Sequence, residues 1–181
     1  DQSILVKGKA TDKDPYVIHF EMPKARITGI RLEAIPDSSL PQKGPGRAGN
    51  GNFVITQLLA IRGEQNDIEN LNRVFTGWPQ KLRDDAITLA NATATFEQTA
   101  SGNSHPHKKW SAQSAIDRNQ LGPKFGWAIL PQRGKPNNLV LQIPAGAQFS
   151  KGEKMTLVIQ QHHGSGNHLL GRFRISFTTE E

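Results

Sequence analysis

Hydrophobic and polar residues alternate with a period of two along most of this chain. Tyr16, Ile18 and Phe20 oppose Val17, His19 and Glu21, and Ile30, Leu32 and Ala34 oppose Arg31, Glu33 and Ile35. Phe53, Ile55, Leu59 and Ile61 share one parity that Gln57 interrupts. Ala90, Ala92, Ala94 and Phe96 share another, and Leu139, Leu141 and Ile143 repeat the pattern, followed by Met155, Leu157 and Ile159. The cleanest run is the last, with Phe173, Ile175 and Phe177 set against Arg172, Arg174, Ser176 and Thr178. Such alternation predicts strands with one face in a core and the other in water. Clusters of Pro and Gly at 36–51, 122–123, 131–136, 144–146 and 164–166 separate them as turns.

Seven or more short strands joined by turns predict an all-β fold, an antiparallel β-sandwich of the jelly-roll kind. One segment departs from this period. Over Asn66–Lys81, Ile68, Leu71, Val74, Phe75 and Trp78 recur at three- and four-residue spacing. Asn66 or Asp67 can cap the start, and Gly77 with Pro79 can end it. The chain is therefore expected to be a single sandwich over residues 1–181, with a short helical excursion at about 64–83.

Composition narrows the chemistry. With no cysteine among 181 residues, the chain cannot carry a disulfide framework, a thiol nucleophile or a covalently attached haem. Its apolar runs are too short to cross a membrane, and no leader precedes Asp1, as expected of a mature or excised chain. The net charge of +6 is unevenly spread: 64–100 carries three basic and six acidic residues, whereas 101–181 carries ten basic and four acidic. Five of the six histidines also fall after residue 100. A local basic excess points to an anionic partner, against the plainer reading of a solubilising surface.

Four segments could carry function. The stretch from Pro36 to Asn52, with Arg47, Asn50 and Asn52 among its glycines, is long for a loop between strands. Its carbonyls and amides could ligate a hard cation or bond hydroxyls, or it could simply cross between sheets. His105-Pro-His107-Lys108-Lys109-Trp110 combines imidazoles, ammonium groups and an indole, which either stacks a sugar ring or folds onto the sandwich. Asp117 and Arg118 precede Lys124 and Trp127; Asp117 suits backbone N–H groups, and Trp127 suits the core better than a ligand. The run from Gln160 to His168, including His163, consists almost wholly of hydrogen-bonding side chains before the last strand. A zinc site drawn from the histidines lacks supporting carboxylate spacing. Catalytic signatures are missing as well: no paired carboxylates, no Gly-x-Ser-x-Gly and no His-Glu-x-x-His. The reading is of a non-enzyme.

Several motifs occur together and in order: Ile27–Asp37, Ser39-Leu-Pro41, Gly44-Pro-Gly-Arg-Ala-Gly-Asn-Gly-Asn-Phe-Val54, Ala115-Ile-Asp117, Gly126-Trp-Ala-Ile129 and Leu170-Gly-Arg-Phe-Arg-Ile-Ser176. In these, over roughly residues 16–178, the chain resembles the β-sandwich domain of planctomycete-type multidomain cytochrome c proteins. That domain is in turn similar to galactose-binding-like, or discoidin-like, jelly rolls. Arg118 stands where the family has a turn glycine, Gln57 where it has an acidic residue, and Asn137 where it has a histidine. The resemblance implies glycan binding in a periplasmic or extracellular setting, within a larger multidomain protein whose haem lies elsewhere. No cofactor is required, although many relatives of this kind hold a structural calcium.

The sequence thus leads to a carbohydrate-binding module for an acidic polysaccharide, sulfated or uronic. Arg47, Lys108, Lys109, Arg118, Lys124 and Arg172 would pair with its charges, and His105, His107, His163 and His168 would bond it. Asn50 and Asn52 would add amide contacts, and Trp110 or Trp127 would stack. The alternatives are an assembly domain that docks neighbouring domains and, less favoured, a jelly-roll lyase. Nucleic acid is disfavoured because the basic residues are not interleaved with aromatics on one strand face.

Overall fold

Among the described residues, nine strands follow one another as β1 (Ile4–Leu5), β2 (Tyr16–Glu21), β3 (Ala25–Ala34), β4 (Gln57–Arg62), β5 (Ala86–Ile87), β6 (Ala90–Ala94), β7 (Asn137–Phe149), β8 (Lys154–Gln160) and β9 (Arg172–Thr178) in the computed structural model. It describes residues 1–99, 109–118 and 122–180. The strands form a five-stranded sheet in the order β1-β9-β3-β7-β6 and a four-stranded sheet in the order β2-β8-β4-β5, with every pairing antiparallel. The two sheets make an open, all-β sandwich. Ile30, Leu32, Leu139, Leu141 and Phe173 of the first sheet meet Leu58, Ala60, Met155, Leu157 and Ile159 of the second in one apolar core.

The sheets differ in what covers their outer faces. The five-stranded sheet turns Arg31, Glu33, Arg174 and Gln142 outward, and its alternation is the one the sequence displays. The four-stranded sheet is covered by the excursion: Leu71, Phe75, Trp78 and Leu82 pack on Leu59, Ile61 and Val158. Residues 57–61 of β4 and 155–160 of β8 are therefore buried on both faces. The single parity expected from Phe53 to Ile61 does not hold. Phe53 and Ile55 face the core, but after Thr56 and Gln57 the core positions become Leu58 and Ala60, while Leu59 and Ile61 turn to the excursion.

The excursion is a helical segment in three pieces rather than one helix. A short α-helix, α1 (Ile68–Leu71), starts where the Asp67 carboxylate accepts from the Asn70 N–H, as that cap predicts. A 3₁₀ turn spans Phe75–Gly77, and α2 follows over Gln80–Asp84. The break falls at Trp78, which is extended (φ −74°, ψ 146°) because the residue before a proline avoids the helical region. Gln160, fully buried at the end of β8, anchors the excursion through Nε2 bonds to the Leu71 and Arg73 carbonyls, both 2.7 Å.

β7 continues for 13 residues, straight through the Pro144–Gly146 punctuation that suggests a turn. Pairing with β3 shifts between Ile27 and Gly29, where Ala147 and Gln142 are their partners, so Pro144 sits in an irregularity and owes no ladder hydrogen bond.

The glycine-rich loop folds as a clasp. Gly44, Pro45 and Gly46 are buried, the Gly46 N–H donates to the Gly51 carbonyl (3.1 Å), and Gly46 pairs with Leu170. The Pro45 carbonyl accepts from both the Gly171 (2.6 Å) and Arg172 (3.1 Å) N–H groups. This fixes the entry to β9 and, with it, the hairpin from Gln160 to Leu170.

Candidate functional site

One end of the sandwich gathers four of the residues singled out in the sequence. Lys109 is held through its carbonyl, which accepts the Gly126 N–H at 3.1 Å. Trp110, 9% exposed, packs its body on Val54 and Ala128. His163 lies against the indole with centroids 5.3 Å apart, and His168 lies against His163 at 4.9 Å. The Lys109 ammonium caps the other end, 4.8 Å from the Trp110 ring. The result is a row of ammonium, indole and two imidazoles.

The row is positioned by the polar hairpin. Gln161, buried, donates from Nε2 to the Asp14 carbonyl (3.0 Å) and accepts the Leu170 N–H (2.5 Å), closing the hairpin at its base. His168 Nδ1 is bonded to the Ser165 carbonyl at 2.6 Å, and His163 Nδ1 accepts the Ser165 N–H at 3.3 Å. Asn167 turns the chain with φ +63°. His162 faces the other way and bonds Asn72 Oδ1 of the excursion at 2.6 Å.

Neighbouring positive charges act on the histidines of this end. Burial holds the His163 imidazole below its ordinary value, and the His168 and Lys109 charges push the same way. His162 is likewise held down, by burial first and then by Lys13. Lys13 and Lys109 enter no ion pair among the described residues, although Asp12 lies against Gly166 at the hairpin tip. An anion placed beside Lys109 and these rings would favour the protonated imidazoles.

The two depressed histidines give the fold a pH dependence of definite sign. The unfolded chain takes up protons near the ordinary value of 6.5, while the folded chain resists until lower pH. Stability is therefore complete above that value and declines as pH falls through it toward the folded values. Without ligand, the melting temperature should be lower at about pH 5.5 than at about pH 7.5, and His162→Gln with His163→Gln should flatten the difference. Thermal melts across that range check this. An equally steep decline in the double variant would reject it.

The other candidates lie elsewhere or serve the fold. Trp127 is fully buried, its Nε1–H donates to the Phe96 carbonyl (2.9 Å) and it meets Phe53 edge-on at 5.1 Å, so it presents no face to a ligand. Asn52 is buried, donating to Gln98 Oε1 (3.0 Å) and accepting the Ile129 N–H (3.2 Å). Asn50 is exposed and accepts the Asn52 N–H. Arg172 is committed to Asp1 (2.6 Å) and Asp37 (2.9 Å). Arg118 lies over the Phe75 ring, 4.7 Å from its centroid. Its φ of +59° is the left-handed backbone that a turn glycine would supply. Lys124 is exposed two residues before Gly126, and Arg47 sits across the hairpin, its backbone N–H donating to the Leu169 carbonyl. His105, His107 and Lys108 lie outside the described residues.

The glycine-rich loop engages several of its polar groups within the fold. Its Pro41, Gly44, Pro45, Ala48 and Gly51 carbonyls accept backbone N–H groups, and the Asp37 carboxylate is bonded by Ser39 and Arg172. Among the described residues, no group of three or more His, Asp or Glu could hold a metal ion. No helix is long and apolar enough to cross a membrane.

Lys13, whose charge reaches His162, is a contributor to this end that the sequence did not single out. Their association depends on β2 and β8 pairing, with Tyr16 opposite Ile159. The chain matches no protein-family model, no curated protein and no solved structure.

Proposed function

We propose that the domain is a non-catalytic binding module for an anionic polysaccharide, sulfated or uronic, held at the end where Lys109, Trp110, His163 and His168 line up. The observation that carries the reading is that row: an ammonium in no ion pair among the described residues, an indole and two imidazoles. The indole, 9% exposed, backs the row and leaves little face for a sugar ring to stack on. Lys109 supplies charge, and the imidazoles supply N–H donors that strengthen when protonated. His105, His107 and Lys108 adjoin Lys109 in the chain and extend the same chemistry. Consistent with the resemblance to a cytochrome-associated sandwich, the module would tether a larger secreted protein to its polymer.

Affinity electrophoresis against dextran sulfate, polygalacturonate and a neutral glucan tests this. One or both acidic polymers should retard the protein. The effect should fade between roughly 50 mM and 500 mM salt and strengthen as pH falls from about 7.5 to about 5.5. His163→Ala with His168→Ala should weaken retardation about tenfold, on the order of 1.4 kcal/mol. No retardation by either acidic polymer would reject the reading. Binding to a purified neighbouring domain instead would establish the assembly alternative.

A further inference from the structure

We infer that a second anion pocket, built on Arg47 and Lys7, takes one sulfate or carboxylate group of the same polysaccharide. This rests on the function proposed above for its ligand but on separate residues for its chemistry. Between the N-terminal segment and the glycine-rich loop lies an open pocket of about 440 Å³, lined by Lys7, Gly8, Ser39 and Arg47 among others, with no carboxylate in its lining.

Arg47 differs in its pairing from Arg172, whose N–H is fixed by the same clasp. Arg31, Arg62, Arg73, Arg172 and Arg174 are all in ion pairs, whereas Arg47 is in none among the described residues. Its guanidinium donates from Nη2 to the Gly8 carbonyl and contacts the Tyr16 hydroxyl. A guanidinium has five N–H donors, so these contacts orient the group without exhausting it, and the planar fork suits a two-point bond to an oxyanion.

Lys7 is exposed on the facing segment and adds a second positive charge. Two carboxylates stand near. Asp37 is neutralised by Arg172, and Asp14, whose charge reaches Tyr16, does not line the pocket.

The pocket is also pre-organised. The Arg47 N–H donates to the Leu169 carbonyl (2.8 Å), and the clasp at Gly46 fixes the preceding residue. Rigid placement of the cation lowers the entropy lost on binding.

The placement relative to the first site is what makes a polymer the fitting occupant. The Arg47 N–H reaches the Leu169 carbonyl while the Val54 N–H reaches the His168 carbonyl (2.9 Å), so the two sites flank consecutive residues of one segment. A chain with acidic groups on several units can engage the histidine row with one and Arg47 with another. Each added contact raises affinity through effective concentration.

Nuclear magnetic resonance on the ¹⁵N-labelled full chain separates the two sites. The probes are a sulfated disaccharide and galacturonic acid, titrated in parallel, and the group that moves the signals identifies the preferred anion. The Arg47 Nε–H and Gly8 amide report the pocket; the Trp110 indole N–H and Gly126 amide report the histidine row. Both sets should shift. Arg47→Gln should abolish the first, spare the second and weaken binding of dextran sulfate or polygalacturonate about tenfold. If that variant fails to fold, Lys7→Gln, at an exposed position, should lower polymer affinity about threefold with the row's shifts unchanged.

Movement of the Arg47 and Gly8 signals alone would support the pocket while rejecting the histidine row as a site. Movement of the Trp110 and Gly126 signals alone would overturn the pocket and leave the function standing. No movement with either probe would overturn both.

Discussion

Gly46→Ala should lower the stability of the domain sharply, whereas Gly49→Ala, three residues away in the same loop, should leave it close to unchanged. A Cβ at Gly46 would stand 1.9 Å from the Asn52 carbonyl oxygen and 2.2 Å from its carbon, and both are backbone atoms that no rotamer change can move. Relief would require the two arms of the loop to part. That would break the Gly46–Gly51 bond, the bridge to Leu170 and the Pro45 carbonyl's hold on Gly171 and Arg172. The clasp and the start of β9 would go together. The expected loss is on the order of 3–5 kcal/mol, the range reserved for overpacking and broken networks. For a domain of this size that is a fall in melting temperature of about 10 °C or more. At Gly49 an added Cβ meets nothing within 4 Å, so the change there should stay within about 1 kcal/mol of neutral. Thermal and urea melts of the two variants decide the matter, and equal stability would show that the loop is not the clasp described.

Trp127→Ala should cost nearly as much, and Trp127→Phe distinctly less. The indole is fully buried between the sheets' loop end and Phe53, so truncation removes a large apolar volume and leaves a cavity, worth about 3–5 kcal/mol. Phenylalanine keeps most of that volume but strips the Phe96 carbonyl of its donor, costing about 1–3 kcal/mol. The two tryptophans should also separate by ligand response. An acidic saccharide that perturbs tryptophan fluorescence should lose that effect in Trp110→Phe and keep it in Trp127→Phe. The reverse pattern would remove Trp110 from the site.

Strand placement was readable wherever one sheet face is wet. Phe173, Ile175 and Phe177 alternate with arginines because water lies on the other side of β9, and the same holds for Leu139 and Leu141 in β7. β4 and β8 were harder, since the excursion covers their outer face and both parities become apolar or, as at Gln160, structurally bonded. Asp67 and the apolar spacing announce the excursion itself, but it runs on past Trp78-Pro79 into α2, because Pro79 can start a helix as well as end one.

The site was legible residue by residue but not as a constellation. Lys109, Trp110, His163 and His168 stood out by type, yet 53 positions separate Trp110 from His163, and only the fold brings them to 5.3 Å. Trp127 lies in the core, as its setting suggests, but no local pattern separates the internally paired Arg172 from Arg47. The partners that decide each case, Phe96 for Trp127 and Asp1 with Asp37 for Arg172, are remote in the chain.

The excursion gives the molecule a back. With Trp78 and Leu82 laid over the middle of the four-stranded sheet, that side cannot receive a ligand unless Gln160 first releases the Leu71 and Arg73 carbonyls. On the function proposed above, a polymer would approach from the loop end or along the five-stranded sheet. The third layer thus restricts the direction from which this domain can be used.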